Sequence, residues 1–216
     1  MFLTRIILNP RDPRVISLMR NRQKMHGSIT SIIPSYPVTP EEGRVLWRLD
    51  YDDPYKPIVY LLSPTVPEVT EESNFKFATF NTKNYSSLLN SLKEDQTFAF
   101  RLTANTSHSG RKSEGEDTKR FGHLTVMQQL GWLTDRTKKH GFEILNSSTD
   151  NPNVKIIARQ KNSFWRQQKK VTLVLATFEG QLRVIDLDVF RKALIKGIGP
   201  AKAYGCGLIT LSPRTR

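Results

Sequence analysis

The chain has little of what most metal and redox sites are built from. Its 216 residues include one cysteine, Cys206, and four scattered histidines, His26, His108, His123 and His140. An internal disulfide is therefore excluded, and no cluster stands at zinc-ligand spacing, so neither a structural metal nor a cofactor is expected. Carboxylates do not cluster either, which removes the usual sequence sign of a two-metal nuclease. No apolar run approaches the roughly 18 residues that a spanning helix needs. The opening Met1-Phe2-Leu3-Thr4-Arg5-Ile6-Ile7-Leu8 is too short for a signal peptide. The expectation is a cytoplasmic protein with no membrane partner.

Acidic residues are scarce in one half only. Residues 1–100 carry 12 Lys+Arg against 11 Asp+Glu, whereas residues 101–216 carry 21 against 9. Almost all of the formal charge of +13 thus sits in the second half. Such an asymmetry produces a directional field that favours nucleic acid or an anionic membrane surface, with a well-solvated basic protein as the plainer reading.

Periodicity and turn chemistry supply an element order. Residues 1–8 read as a strand. Asp12 as N-cap and Pro13 in the first turn start a helix that is expected to run to His26 and stop at Gly27. Residues 28–42 read as a loop, and residues 45–49 and 58–62 as a hairpin across Asp52-Asp53-Pro54. Tyr85, Leu88, Leu89 and Leu92 mark a short helix, and Phe98, Phe100 and Leu102 a strand that either closes one unit or opens the next. A polar surface loop is expected over 105–122, followed by a helix over 124–133. Strands at 142–145, 156–158 and 171–178 come next, then a return strand at 181–185 across Glu179-Gly180 and a last helix capped by Asp186. This order predicts an α+β chain of two tandem ferredoxin-like (βαββαβ) domains, residues 1–94 and 95–216, with a basic β-hairpin in the second.

Three constellations carry candidate chemistry. Residues 197–207 hold four glycines and a proline, with Lys196 and Lys202 nearby, which suits a loop that a phosphate backbone approaches or a plain helix-to-strand connection. The loop lacks the third glycine of a Rossmann fingerprint and the Gly-Lys-Ser/Thr of a Walker loop, so a nucleotide cofactor is not indicated. Lys155, Arg159, Lys161, Arg166, Lys169 and Lys170 crowd a hairpin tip beside Phe164 and Trp165, where cations could enter a groove and an aromatic could stack on a base; a solvated charge run is the alternative. Arg111, Lys112, Lys119 and Arg120 could add a flanking contact. His26, expected at a helix end beside Arg22 and Lys24, is a candidate acid or base, or simply a C-cap. Without a carboxylate cluster, RNA cleavage would use the substrate's own 2′-hydroxyl.

At three places the sequence resembles the CasE endoribonucleases of type I-E CRISPR systems, within the RAMP superfamily. These are Met1-Phe2-Leu3-Thr4-Arg5 with the helix bearing Met25-His26, the stretch Phe100-Arg101-Leu102-Thr103-Ala104-Asn105, and the glycine-rich stretch from Gly197 to Leu208, including Lys202 and Tyr204. The resemblance implies two ferredoxin-like domains that bind a CRISPR repeat hairpin and cut at the 3′ base of its stem without metal. It also implies 5′-hydroxyl and 2′,3′-cyclic phosphate ends, and retention of the RNA as a subunit of the Cascade complex, with no DNA bound directly. The catalytic histidine maps onto His26 and the groove-inserting hairpin onto 155–170. Two positions depart from the family: Gln23 stands where members often carry tyrosine, and Gly27 where they carry arginine. Lys24, Lys161 and Lys202 remain alternatives for the missing positive charge. A non-catalytic RNA-binding subunit is the competing class, and an RRM-like platform is weakened by the missing aromatic RNP pattern around 98–102.

Overall fold

The computed structural model describes residues 1–34, 36–39, 44–110, 119–147 and 150–213. Its first sheet is built on β1 (Phe2–Ile7), which pairs antiparallel with β3 (Ile58–Ser63) on one edge and β4 (Thr79–Asn84) on the other. β2 (Leu46–Asp50) adds outside β3, giving the order β2-β3-β1-β4. Two helices, α1 (Pro13–Arg20) and α2 (Arg22–Thr30), cover it. Val15, Leu18, Met25 and Ile29 bury against Ile6, Val59, Leu61 and Trp47.

The second sheet has the order β11-β5-β10-β8, from β5 (Thr97–Asn105), β8 (Phe142–Ile144), β10 (Lys169–Val184) and β11 (Ile209–Pro213). α4 (Val126–Thr137) lies between β5 and β8 in sequence, and α5 (Leu187–Lys196) between β10 and β11. This is a full βαββαβ circuit. The first sheet has the same antiparallel strand order, so the chain is α+β with two tandem ferredoxin-like units. One hydrophobic core joins them: Leu46 and Leu62 of the first sheet pack with Leu102, Trp132, Phe178, Ile198 and Leu208 of the second.

Four sequence expectations change. The helix expected over residues 12–26 is two helices, because Asn21 breaks it with extended backbone and then caps α2, its side-chain oxygen accepting from the Gln23 and Lys24 amides at 3.0 and 3.1 Å. α2 continues through Gly27 to Thr30, so His26 lies inside a helix rather than at its end. The strand at Phe98 opens the second sheet, while β4 closes the first. The turn-rich stretch 64–78 replaces the second crossover helix, and α3 (Tyr85–Ser91) follows β4 instead of preceding it. Glu179-Gly180 is not a turn, since β10 runs straight through it. Gly180 is needed there because a Cβ would meet the Asn153 carbonyl oxygen at 2.4 Å. Finally, the described flanks of the polar stretch 105–122 form a ribbon, β6 (Ser107–Gly110) with β7 (Lys119–Gly122). Arg111 and Lys112 lie outside the described residues.

Candidate active site

α2 sets the position of His26, and its neighbours come from three distant parts of the chain. The imidazole meets Tyr204 edge-on at 6.2 Å between ring centroids and Tyr36 at 6.4 Å. Tyr204 in turn packs on Phe164 of β9 (Val154–Arg166) at 4.8 Å. Tyr36 had no signal in the sequence: it lies in a proline-rich connection, and only folding brings its ring to His26.

The surroundings of the imidazole disfavour its charged form. Burial, and then the positive charge of Arg166, hold its pKa below the ordinary histidine value, the opposite of the rise expected from a helix C-terminus. The neutral ring therefore predominates at neutral pH. Nδ1 is buried without a hydrogen-bond partner among the described residues, as is Oε1 of Gln23 one turn earlier on α2. Buried polar atoms without partners are uncommon and costly, and they concentrate where chemistry is done.

The glycine-rich loop is the wedge that holds this arrangement. Arg22 on α2 is buried, and its Nη1 donates to the Tyr204 carbonyl at 2.8 Å, while Trp47 Nε1 donates to the Ala203 carbonyl at 3.1 Å. Gly205, at φ +75, lies so near that a Cβ would stand 2.5 Å from the Trp47 ring and 2.7 Å from Arg22 Nη1. Gly207 donates to the Thr103 carbonyl of β5 at 2.8 Å, which fastens the loop to the second sheet. The loop therefore clamps α2 and β2 to β5 through backbone groups. Lys202 is engaged in the same way, donating to the Gly199 carbonyl at 2.7 Å, and burial with the charge of Arg44 lowers its pKa. Arg22 and Lys202 face inward as structural donors in this state.

The basic hairpin is longer than the sequence suggests. β9 and β10 pair from Val154↔Gly180 to Arg166↔Lys169 around Gln167 and Gln168, both at positive φ as a type I′ turn requires. Strand alternation divides its cations between two faces. Phe164 and Arg166 face Tyr204 and His26. Arg159 faces α4, its Nε donating to Gln129 Oε1 at 2.9 Å and its Nη2 to the Leu124 carbonyl. Lys161, two residues on, shares that face, so the structure does not bring it to His26. Lys155 stands 3.8 Å from Glu179 at the base of the hairpin. Lys169 and Lys170 are exposed near the tip. Lys24 is on the far side of α2 from His26, its Nζ donating to Ser17 Oγ at 3.1 Å.

Among the described residues, no three of His, Cys, Asp and Glu converge as metal ligands. No helix there is long and apolar enough to cross a membrane.

Known proteins share this architecture over the whole chain. The CRISPR-associated endoribonuclease Cse3 of Thermus thermophilus is 29% identical over 222 residues, covering 99% of this chain and 100% of that protein. A structure of CRISPR endoribonuclease Cse3 bound to a 19-nucleotide RNA superposes with a TM-score of 0.82 at 28% identity, covering 99% of this chain and 100% of that one. Thermus thermophilus Cse3 bound to an RNA representing a pre-cleavage complex gives 0.79 at 28% identity, covering 98% of each chain. The model of the family described as CRISPR associated protein matches residues 1–213. The chain belongs to the CRISPR associated protein family, the family whose CasE members its sequence resembles.

Proposed function

We propose that this protein is a metal-independent endoribonuclease. It binds the hairpin of a CRISPR repeat in precursor CRISPR RNA and cuts at the 3′ base of the stem. In this reading Nε2 of His26 removes the proton from the 2′-hydroxyl next to the cut, the 2′-oxygen attacks phosphorus, and the 5′-oxygen of the following nucleotide leaves with a proton taken from water, His26 giving its own back to solvent. The ends are a 2′,3′-cyclic phosphate and a 5′-hydroxyl. Arg166 reaches the same place from the hairpin, where a fixed cation stabilises charge developing on the phosphoryl oxygens. Tyr36 and Tyr204 hold the imidazole between them.

The observation that carries this reading is the half-buried His26, its pKa held low, facing a cationic hairpin tip. Binding is assigned to the hairpin cations Lys155, Arg159, Lys161, Arg166, Lys169 and Lys170, with Arg111 and Lys112 as flanking candidates. Residues 1–94 and 95–216 are the proposed domains, the first carrying the base and the second the hairpin and glycine-rich loop. The product-bound protein would act in the cytoplasm as a subunit of Cascade, without binding DNA itself.

Purified protein incubated with its end-labelled repeat RNA in EDTA tests the reading. Cleavage to a cyclic-phosphate end is expected. His26→Ala should lower the rate by about 10²- to 10⁴-fold with hairpin affinity kept. Uncut RNA under EDTA would favour a non-catalytic RNA-binding subunit, and full activity in His26→Ala would remove the histidine from the mechanism.

A further inference from the structure

A cleft of about 970 Å³ lies between the two units, with Arg22 in its lining. Its walls are α1, the β2–β3 turn and one face of the β9–β10 hairpin. Arg11 and Arg20 line it, and neither enters an ion pair among the described residues. Tyr51 and Tyr55, 53% and 85% exposed, stand at its rim with uncovered ring faces. Gln160 and Asn162 present side-chain amides to it that have no hydrogen-bond partner among the described residues. The acidic lining residues Asp50 and Asp52 are paired with Arg101, at 3.2 and 2.5 Å, and Asp50 also with Arg48.

Free guanidinium groups, aromatic faces and free amides are the three contacts that unpaired nucleotides use: phosphate, ring stack and base edge. The volume is at the upper end of ligand pockets, with room for more than one nucleotide. Continuity with the scissile site argues for nucleic acid as the occupant. Arg22, which borders the cleft, is one helical turn before His26 on α2. On β9 the same face that gives Ala158, Gln160 and Asn162 to the cleft gives Phe164 to Tyr204 and then Arg166, about 13 Å beyond Asn162 at the usual strand rise. On the proposed function, a strand leaving the base of a stem at His26 would meet this groove next.

We infer that the cleft is a second RNA site, which binds the unpaired nucleotides flanking the repeat hairpin and fixes the register of the cut. This rests on the proposed function. It adds a single-stranded subsite lined by Arg11, Arg20, Tyr51, Tyr55, Gln160 and Asn162, distinct from the hairpin cations.

Fluorescence anisotropy with the full chain and three probes tests it: the repeat stem-loop alone, the stem-loop with a single-stranded 5′ extension, and the stem-loop with a 3′ extension carrying a 2′-deoxy nucleotide at the cut. One extension should raise affinity about tenfold over the stem-loop, and which one does so identifies the flank. The double variant Arg20→Ala/Tyr55→Ala should lose that gain while binding the bare stem-loop as the parent does; Asn162→Ala should lose part of it. A 4-thiouridine in the bound flank should photo-crosslink to the cleft. Equal affinity for all three probes, or a gain that survives the double variant, overturns the inference. If the stem-loop is bound and cut but the flanks add nothing, only the second site fails; if the stem-loop is not bound at all, the proposed function fails with it.

Discussion

The junction between the two units has two ends that treat polar groups in opposite ways. At one end Arg48 and Arg101 are saturated. Buried Arg48 grips Asp50 through Nε and Nη2 at 2.6 and 2.9 Å and donates to the Arg101 carbonyl and Thr210 Oγ1, each at 2.8 Å. Arg101 spans Asp50, Asp52 and Glu179. At the other end, around His26, two buried polar atoms have no hydrogen-bond partner among the described residues. The saturated end holds β2 against β5 and β10. The unsatisfied end leaves polar atoms unpaired beside His26, the proposed base.

The largest stability effect should come from breaking the saturated end. Arg48→Met leaves Asp50 buried beside Arg101 alone, and urea unfolding should show a loss of about 3 kcal/mol, the lower bound for a broken buried pair because Arg101 still serves it. Cleavage per folded molecule should stay close to the parent's. If stability is unchanged, the ion-pair cluster is not what joins the units.

Gly205→Ala attacks the wedge that connects the ends. A methyl against Trp47 and Arg22, at a positive φ, should cost about 1–3 kcal/mol and also slow cleavage, because moving the loop moves Tyr204 from His26. Destabilisation with an unchanged rate would show that the loop's position does not govern the site.

The pH profile of kcat/KM sharpens the reactive end. His26 must be neutral to take a proton, so activity should fall as pH drops through its pKa, and burial with Arg166 places that limb below the ordinary histidine value. Removing the cation in Arg166→Ala raises the histidine pKa, so the limb should move to higher pH. An unmoved limb would separate Arg166 from the base. Lys161→Ala is the smallest change expected: it should weaken hairpin binding modestly, reduce the salt slope by about one, and leave the limb where it was, because Lys161 lies on the face toward α4.

The expectations that held were those carried by local chemistry. Asp12 with Pro13 starts α1, and Asp186 caps α5 by accepting from the Val189 amide at 3.0 Å. The basic run does form a hairpin. Those that failed involved competition between local signals. Asn21 could be read as helix interior or as cap, and its side-chain hydrogen bonds decide for the cap. Glu179-Gly180 has the composition of a turn, yet the glycine admits a neighbouring backbone within an unbroken strand.

By itself the sequence determined the α+β class and the one-sided charge: the helix caps, the glycine-rich stretch and the element order all lie in composition and in spacings of a few residues. Only the tertiary structure decided what surrounds the base. Residues 26, 36, 164, 166 and 204 meet because four separate segments converge across the two sheets, and no short-range periodicity records such a meeting. The division of the hairpin's cations into a face toward His26 and a face toward α4 is likewise decided by packing, since alternation along β9 sets which residues pair off but not which face meets α2.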